Sequence, residues 1–320
     1  MTAPSQLVQV GIVKEAAYGA GGAPSLLLPS TAPSGQDKPG LMADAGWRGA
    51  PATAYQQIVG PLASALTLGG PVFMDGIGFP LAGLLGDVAF AGGTPNTWTM
   101  ACLNSGTQQP PSYAVTIGDP IGKVQYPGCR FASLDLAFDP NQLLSWSATL
   151  AGLPGVVSAV AMPALSAEKV TAGWVGVSKA GGVVEARVLT ATMKIDRSVL
   201  AKRNVTGQLA PYLQRSEELT VSGAMTLVAA TDAYRQDLLA GTTVAVELSF
   251  ATGAGAAARQ LLLHCSAATL TQADRAYGQR WIELDLAFTT SFNTSDVGAS
   301  GGYSPIKATV KNAVASGVYA

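Results

Sequence analysis

Eight runs of this chain alternate apolar with polar residues, or stay apolar, between clusters of turn formers: SLLL at 25–28, YAVTI at 113–117, CRFASLDLAF at 129–138, LLSWSATLAG at 143–152, ARVLTATMKID at 186–196, ELTVSGAMTLV at 218–228, TVAVELSF at 243–250 and WIELDLAF at 281–288. Successive side chains of a strand point to opposite faces, so a period of two buries one face and leaves the other to solvent or a partner. The chain is therefore expected to be mainly β and mainly antiparallel. Two stretches depart from that period. In MDGIGFPLAGLLGD at 74–87, Ile77, Leu81, Leu84 and Leu85 fall near helical spacing, with Asp75 as the expected N-cap and Gly86 as the stop. In TDAYRQDLLAG at 231–241, Thr231 or Asp232 would cap, Tyr234, Leu238 and Leu239 form the apolar stripe, and Gly241 ends the helix.

The order of these elements recurs. In each half a short helix is followed by strands and then by a long hairpin. The first is GCRFASLDLAF and LLSWSATLAG around a DPN turn; the second is HCSAATLTQ and QRWIELDLAF around an ADRAYG turn. A cysteine opens each first arm and a tryptophan comes early in each second arm, which matches Cys129 with Cys265 and Trp146 with Trp281. On that match the pentapeptide LDLAF, present at 134–138 and 284–288, falls on the first arm of one hairpin and the second arm of the other, so the identical segments are not equivalent. Element order, rather than the pentapeptide, points to an internal repeat. It divides the chain into a first β domain over 1–155, a linker over 156–170 and a second β domain over 171–320, each with one short helix. The Gly/Pro/Ser-rich stretch 19–46 reads as a long loop around one short apolar segment, of a kind that reaches a neighbouring subunit.

Charged residues make up 12% of the chain, against about 25% in a typical soluble domain. Because the buried part of an interface is depleted in charge, such a composition fits an assembly component better than a free monomer. The net charge is −1, and no basic residue lies between Arg48 and Lys123, so the chain lacks the basic footprint of a tight DNA binder. Three widely spaced cysteines make neither a disulfide framework nor a zinc set, and fit a reducing cytoplasm. The start, MTAPSQLVQV, lacks the pattern of a signal peptide. The apolar window at 148–165 has the length of a membrane span but contains Pro154 and Pro163, and reads as a strand end followed by a linker. No membrane association and no cofactor are expected.

No residues read as a catalytic, cofactor or metal site. His264 is the only histidine, and without a triad or metal-binding partner in recognisable spacing it reads as a satisfied strand residue. GIGFPLAG at 76–83 resembles a phosphate loop only superficially, since its third glycine is misplaced and Pro80 interrupts it. Asp135 with Asp139, and Glu283 with Asp285, are conceivable carboxylate pairs; the second pair shares a strand face, as on a solvated or lumen-facing sheet. Cys129 and Cys265 read as small strand-packed hydrophobes, and the sequons at Asn204 and Asn293 carry no weight without a secretory signal. The one cationic stretch, 194–218 with Lys194, Arg197, Lys202, Arg203 and Arg215, has only Tyr212 for base stacking and reads as a solvated or inter-subunit loop.

The opening VGIVKEAAYGAGGAPSLLLP at 10–29 resembles the start of tail tube proteins of long-tailed bacteriophages, through Gly11, Ile12, Lys14, Glu15, Tyr18, Gly19 and Pro29. FMDGIGFPLAGLLGD, the YPGCRFASLDLAF hairpin, TMKIDRSV and the closing SPIKATVKNAV at 304–314 also follow that family's order, while 30–50 and 92–112 depart from it. The resemblance implies a structural, non-enzymatic protein of the virion tail, made in the host cytoplasm. Its sheets would join neighbouring subunits into a ring-shaped β-barrel, its rings would stack, and DNA would pass through without specific binding. Implied partners are further copies of the chain and other tail proteins such as tape measure and terminators. Six tube domains close such a ring, so two per chain predicts three chains with approximate six-fold symmetry. The competing readings are a carbohydrate-binding or adhesin-like β-sandwich module, disfavoured by scattered tryptophans, and a hydrolase, which lacks a nucleophile and base.

Overall fold

The computed structural model describes residues 4–49, 51, 53–205, 207–277 and 280–319. Over these residues it is a mainly β protein of antiparallel ladders with two short α-helices. In chain order the elements are β1 (Gln9–Lys14), β2 (Leu26–Leu27), β3 (Ser34–Asp44), β4 (Gln56–Pro71), α1 (Gly78–Leu85), β5 (Gly86–Ala91), β6 (Asn96–Cys102), β7 (Tyr113–Gly118), β8 (Lys123–Phe138), β9 (Ser145–Gly152), β10 (Val156–Val157), β11 (Gly176–Ala180), β12 (Val183–Val184), β13 (Val188–Lys202), β14 (Leu213–Val228), α2 (Ala233–Ala240), β15 (Thr243–Thr252), β16 (Arg259–Ala276), β17 (Glu283–Thr290) and β18 (Lys307–Asn312).

Eight of these strands form one continuous open sheet in the order β3, β4, β9, β8, β13, β14, β17, β16. Its period-two pattern is what the sequence dictates. One row across the buried face runs Trp146, Leu136, Met193, Gly223, Phe288, Leu270, each residue opposite the next. Gly223 is required there: a Cβ would stand 2.4 Å from the Phe288 ring and 2.7 Å from the Thr192 carbonyl oxygen. The long strands β8 and β16 leave this sheet with their N-terminal halves, which are flanked by β7 and β10, and by β15 and β18, respectively. Beyond them β7 pairs with β1 and β1 with β2, just as β15 pairs with β11 and β11 with β12. Among the described elements only the β5–β6 hairpin, which adds to β18, is unmatched, and it includes part of the departing segment 92–112. The other ladders of the first half thus have counterparts in the second.

Several expectations need correction. The stretch 19–46 is not one long loop: it contains β2 and the eleven-residue β3, which pairs with the sixteen-residue β4. Almost all of β3 is exposed, so no buried face imprints alternation on its sequence; backbone pairing alone makes it a strand. The cationic stretch is likewise the distal part of the β13–β14 hairpin and its tip, with Arg197 buried. The ADRAYG turn starts later than expected, because β16 runs through Ala276. Matching the two long hairpins at their bulges, Phe131/Ser133 and Leu270/Gln272, brings Trp146 onto Leu284 and Cys129 onto Ala268, not onto Trp281 and Cys265. Trp146 is buried in β9, whereas Trp281 lies 62% exposed before β17 begins.

Both helices stop where expected, on Gly86 and Gly241 in the left-handed region at φ +85° and +65°. The start of α1 differs from expectation, while α2 starts at the expected cap position but without a side-chain cap bond. The N-cap position of α1 is Ile77, and Asp75 instead accepts a hydrogen bond from Ser166 Oγ. Pro80 sits in the first turn of α1, where a missing N–H leaves no intrahelical bond unmade. Asp232 holds the N-cap position of α2, but its carboxylate binds Arg235 and Arg275 rather than the helix. The apolar window at 148–165 ends β9 and contributes β10, and no helix among the described residues is long and apolar enough to cross a membrane.

Candidate assembly surfaces

The solvent face of the central sheet is built from small residues. Opposite the buried row, one line of neighbours reads Ser147, Asp135, Lys194, Ser222, Thr289, Thr269, and the next reads Ser145, Ala137, Thr192, Ala224, Ala287, Gln272. The charges at its centre are few and partly offset. Lys194 Nζ lies 2.9 Å from Asp196 and pairs across the ladder with Asp135. Burial pushes the Asp135 carboxyl up, Lys194 opposes that shift and Asp196 adds to it. The result is a broad, nearly neutral face of hydroxyls and methyls, without the dense cations that grip phosphates.

The same sheet ends in two bare edges. Within the described residues β3 pairs only with β4, and the C-terminal part of β16 pairs only with β17. Open edges recruit other strands unless covered. Beside the β3 edge, the distal hairpin exposes Leu41, Met42, Ile58 and Val59, and the fully exposed Trp47 follows β3. Scattered exposed apolar residues are ordinary, but a cluster at a sheet edge marks a surface that a partner covers.

The N-terminal motif is a clamp rather than a chemical site. Glu15, 5% exposed, accepts hydrogen bonds from Gly19 N at 3.0 Å, Gly21 N at 3.0 Å, Gly128 N at 2.9 Å and Ser112 Oγ at 2.7 Å. Four donors stabilise a buried carboxylate that would otherwise be costly, and they tie the turn after β1 to the start of β7 and the bend in β8. Gly19 and Gly128 have φ of +77° and +65°, which explains the glycine after Tyr18. Tyr18 lies over the Arg130 guanidinium, and burial pushes its phenol up to about 12. Nothing in the local sequence pattern identified the second buried cation, Arg197, whose guanidinium donates to the carbonyls of Leu84, Gln108 and Glu217.

The other candidates resolve individually. His264 Nδ1 is 2.8 Å from buried Asp296, and Ser266 Oγ approaches that same nitrogen at 3.5 Å while donating to Asp296 at 2.9 Å. A triad needs carboxylate and hydroxyl on opposite ring nitrogens, so this is a strand histidine with satisfied partners. Glu283 and Asp285 share a face, and Asp285 accepts from Thr226 Oγ1 at 2.9 Å. Asp139 is apart from Asp135, folding the DPN turn by accepting from Asn141 N at 2.8 Å. Cys102, Cys129 and Cys265 are buried free thiols, each pushed up by burial. Among the described residues no group of three or more His, Cys, Asp or Glu is placed to hold a metal ion.

A mainly β chain with an open sheet, two bare edges and a charge-poor polar face has the makings of a subunit that is completed by its neighbours. Comparison with known families gives the class a name: the family model described as phage tail tube protein matches residues 5–309. The chain belongs to the phage tail tube protein family, and its role is that of a structural component of a phage tail tube. No curated protein matches the chain significantly.

Proposed function

We propose that three copies of this chain close into a ring, that the rings stack, and that the resulting tube conducts genome DNA out of the virion. In this reading the chain is two tandem tube domains, the first running through β10 and the second beginning near β11, with the segment between them as linker. The observation that carries it is the strand-for-strand recurrence of ladders in the two halves, joined through the β8–β13 pairing. Each half supplies four strands to the central sheet, so three chains would close a barrel of about 24 strands with true three-fold and approximate six-fold symmetry.

The hydroxyl-rich face would line the lumen, where near-neutrality lets DNA slide without phosphate contacts. The apolar face of the central strands already packs against α1 and the outer ladders, with Tyr113 against Phe131 and Phe138 against Phe250. Further copies and other tail proteins, tape measure and terminators among them, are the expected partners, assembly takes place in the host cytoplasm, and no catalysis is assigned. Native mass measurement of isolated rings, together with a cross-section by electron microscopy, tests the reading. Three chains and six similar density lobes are expected; six chains per ring would mean that only one half builds the barrel.

A further inference from the structure

We propose that neighbouring copies join by laying β3 of one chain along the bare edge of β16 of the next, in the register that β13 takes on β8 within one chain. The inference rests on the ring reading above and assigns it residues. Its template is internal. The β3–β4 ladder slips between Pro39/Leu41 on one strand and Leu62/Val59 on the other; the β13–β14 ladder slips in the same sense between Arg197/Val199 and Leu219/Ser216. The bulges of β8–β9 and β16–β17 correspond in the same way, at Phe131/Ser133 and Leu270/Gln272. These two matches were made on separate ladders, and a third ladder checks them. They require that Leu66 opposite Leu150 correspond to Gly223 opposite Phe288, and both pairs are present.

Carried over to the bare edges, this register has definite consequences. Lys194 opposite Asp135 becomes Gln36 opposite Asp274 of the second copy, Met193 opposite Leu136 becomes Gly35 opposite Arg275, and Asp196 opposite Ser133 becomes Lys38 opposite Gln272. Diagonal neighbours on a sheet face lie within reach of long side chains. Asp37 then faces Arg275 on one side of the sheet and Lys38 faces Asp274 on the other, so the two edges are complementary on both faces. The template ladder ends at Asp196, one residue before Arg197, and its counterpart ends at Lys38, one residue before Pro39. A proline, which cannot donate to a ladder, falls just beyond where pairing stops. The distal hairpin agrees as well: Gln214 of β14 donates to the Gly152 carbonyl across β8, and Gln57 of β4 stands at the corresponding position.

The experiment introduces Gln36→Cys and Asp274→Cys together into the full chain and oxidises the assembled protein mildly. Both positions are exposed, and Cys102, Cys129 and Cys265 are buried away from them. Residues directly opposite on antiparallel strands are within disulfide reach, while positions two residues away are not. Loss of the monomer band to a covalent series ending at three chains is expected on a non-reducing gel, with no such series from Gln36→Cys paired with Gln272→Cys. Mixing chains that carry one substitution each should stop at the covalent dimer. Rings visible by microscopy that fail to cross-link, or that cross-link in the shifted register, overturn this joint and leave the tube reading standing. Absence of rings, tubes and cross-links under all assembly conditions overturns both.

Discussion

Helices α1 and α2 follow corresponding strands, end on left-handed glycines and pack beside the long strands β8 and β16, yet every residue of α1 is buried and none of α2 is. Their sequences reflect this, GFPLAGLL against AYRQDLLA, but the cause lies in the sheet beneath them. α1 sits over the joint where β13 completes the edge of β8, and Arg197 of β13 reaches up to donate to the Leu84 carbonyl at 2.7 Å. α2 sits beside β16, where the corresponding edge has no strand among the described residues. A helix over a finished joint can be apolar throughout. One beside an open edge faces water and stays polar; in the proposed ring a neighbouring copy would cover it.

The largest effect that can break this comparison comes from trimming each helix. Leu84→Ala empties a fully buried site and should cost about 2–5 kcal/mol in urea unfolding of the isolated chain. Leu239→Ala, at a residue 74% exposed, should stay within about 0.5 kcal/mol. Comparable losses at the two positions would mean that α2 is already covered in the free subunit. In assembled tubes the gap should narrow, with slower amide hydrogen exchange along α2.

A smaller effect tests the joint itself. Arg197 is 4% exposed, burial pushes its guanidinium down, and among the described residues its side chain donates to three carbonyls. Arg197→Met leaves those acceptors unpaired and should cost about 1–3 kcal/mol. Arg197→Lys should recover little of that, because a single ammonium cannot fan out to three carbonyls as the planar fork does. Pro39→Ala, at the matching bulge on the bare edge, should leave thermal unfolding of the isolated chain within about 0.5 kcal/mol of the parent. Full rescue by lysine would show that charge, not fork geometry, secures the joint.

The contrast between finished and unfinished edges also explains what the sequence disclosed. The strands around the joint were readable because one face of each is buried: LDLAF in β8 and in β17 both carry Leu, Leu and Phe inward. The glycine stops of both helices were readable for the same local reason, a required positive φ. β3 and the distal part of β4 were not, since SGQDKPGLMAD buries no face within the chain and is held as a strand by its backbone pairing with β4. Cysteine and tryptophan spacing misaligned the hairpins because burial in a strand is shared by many side chains, while bulges, which do fix register, leave no residue signature. Arg197 was hidden in a cationic stretch for a related reason: backbone carbonyls from distant segments neutralise its cost, and carbonyls are invisible in a sequence.

The smallest effect concerns how α2 is held in place without burial. Tyr234 Oη donates to Glu185 Oε2 at 2.8 Å, and Glu185 is gripped by Arg187 through two bonds of 2.7 Å. The Arg187 hydrogen bonds hold the Glu185 carboxyl down at about 2, with Tyr234 assisting against burial. A carboxylate whose folded pKa is depressed contributes stability above its ordinary value of 4.5, and loses it as pH falls toward about 2. At the other end, burial and the bond to Glu185 push the Tyr234 phenol up to about 12, so its contribution is complete below the ordinary value of 10 and is lost as pH rises through about 12. The α2 anchor should therefore be intact across neutral pH and loosen at both extremes, while α1, held by apolar packing, should not respond. Because the ion pair is partly solvated, the acid arm should be worth no more than about 1 kcal/mol. Hydrogen exchange of α2 amides measured between pH 5 and pH 2.5, corrected for intrinsic rates, should show protection falling in the parent chain. It should be flat and lower throughout in Glu185→Gln. Equal acid sensitivity in α1, or persistence of the α2 response in the glutamine variant, would place the titrating group elsewhere.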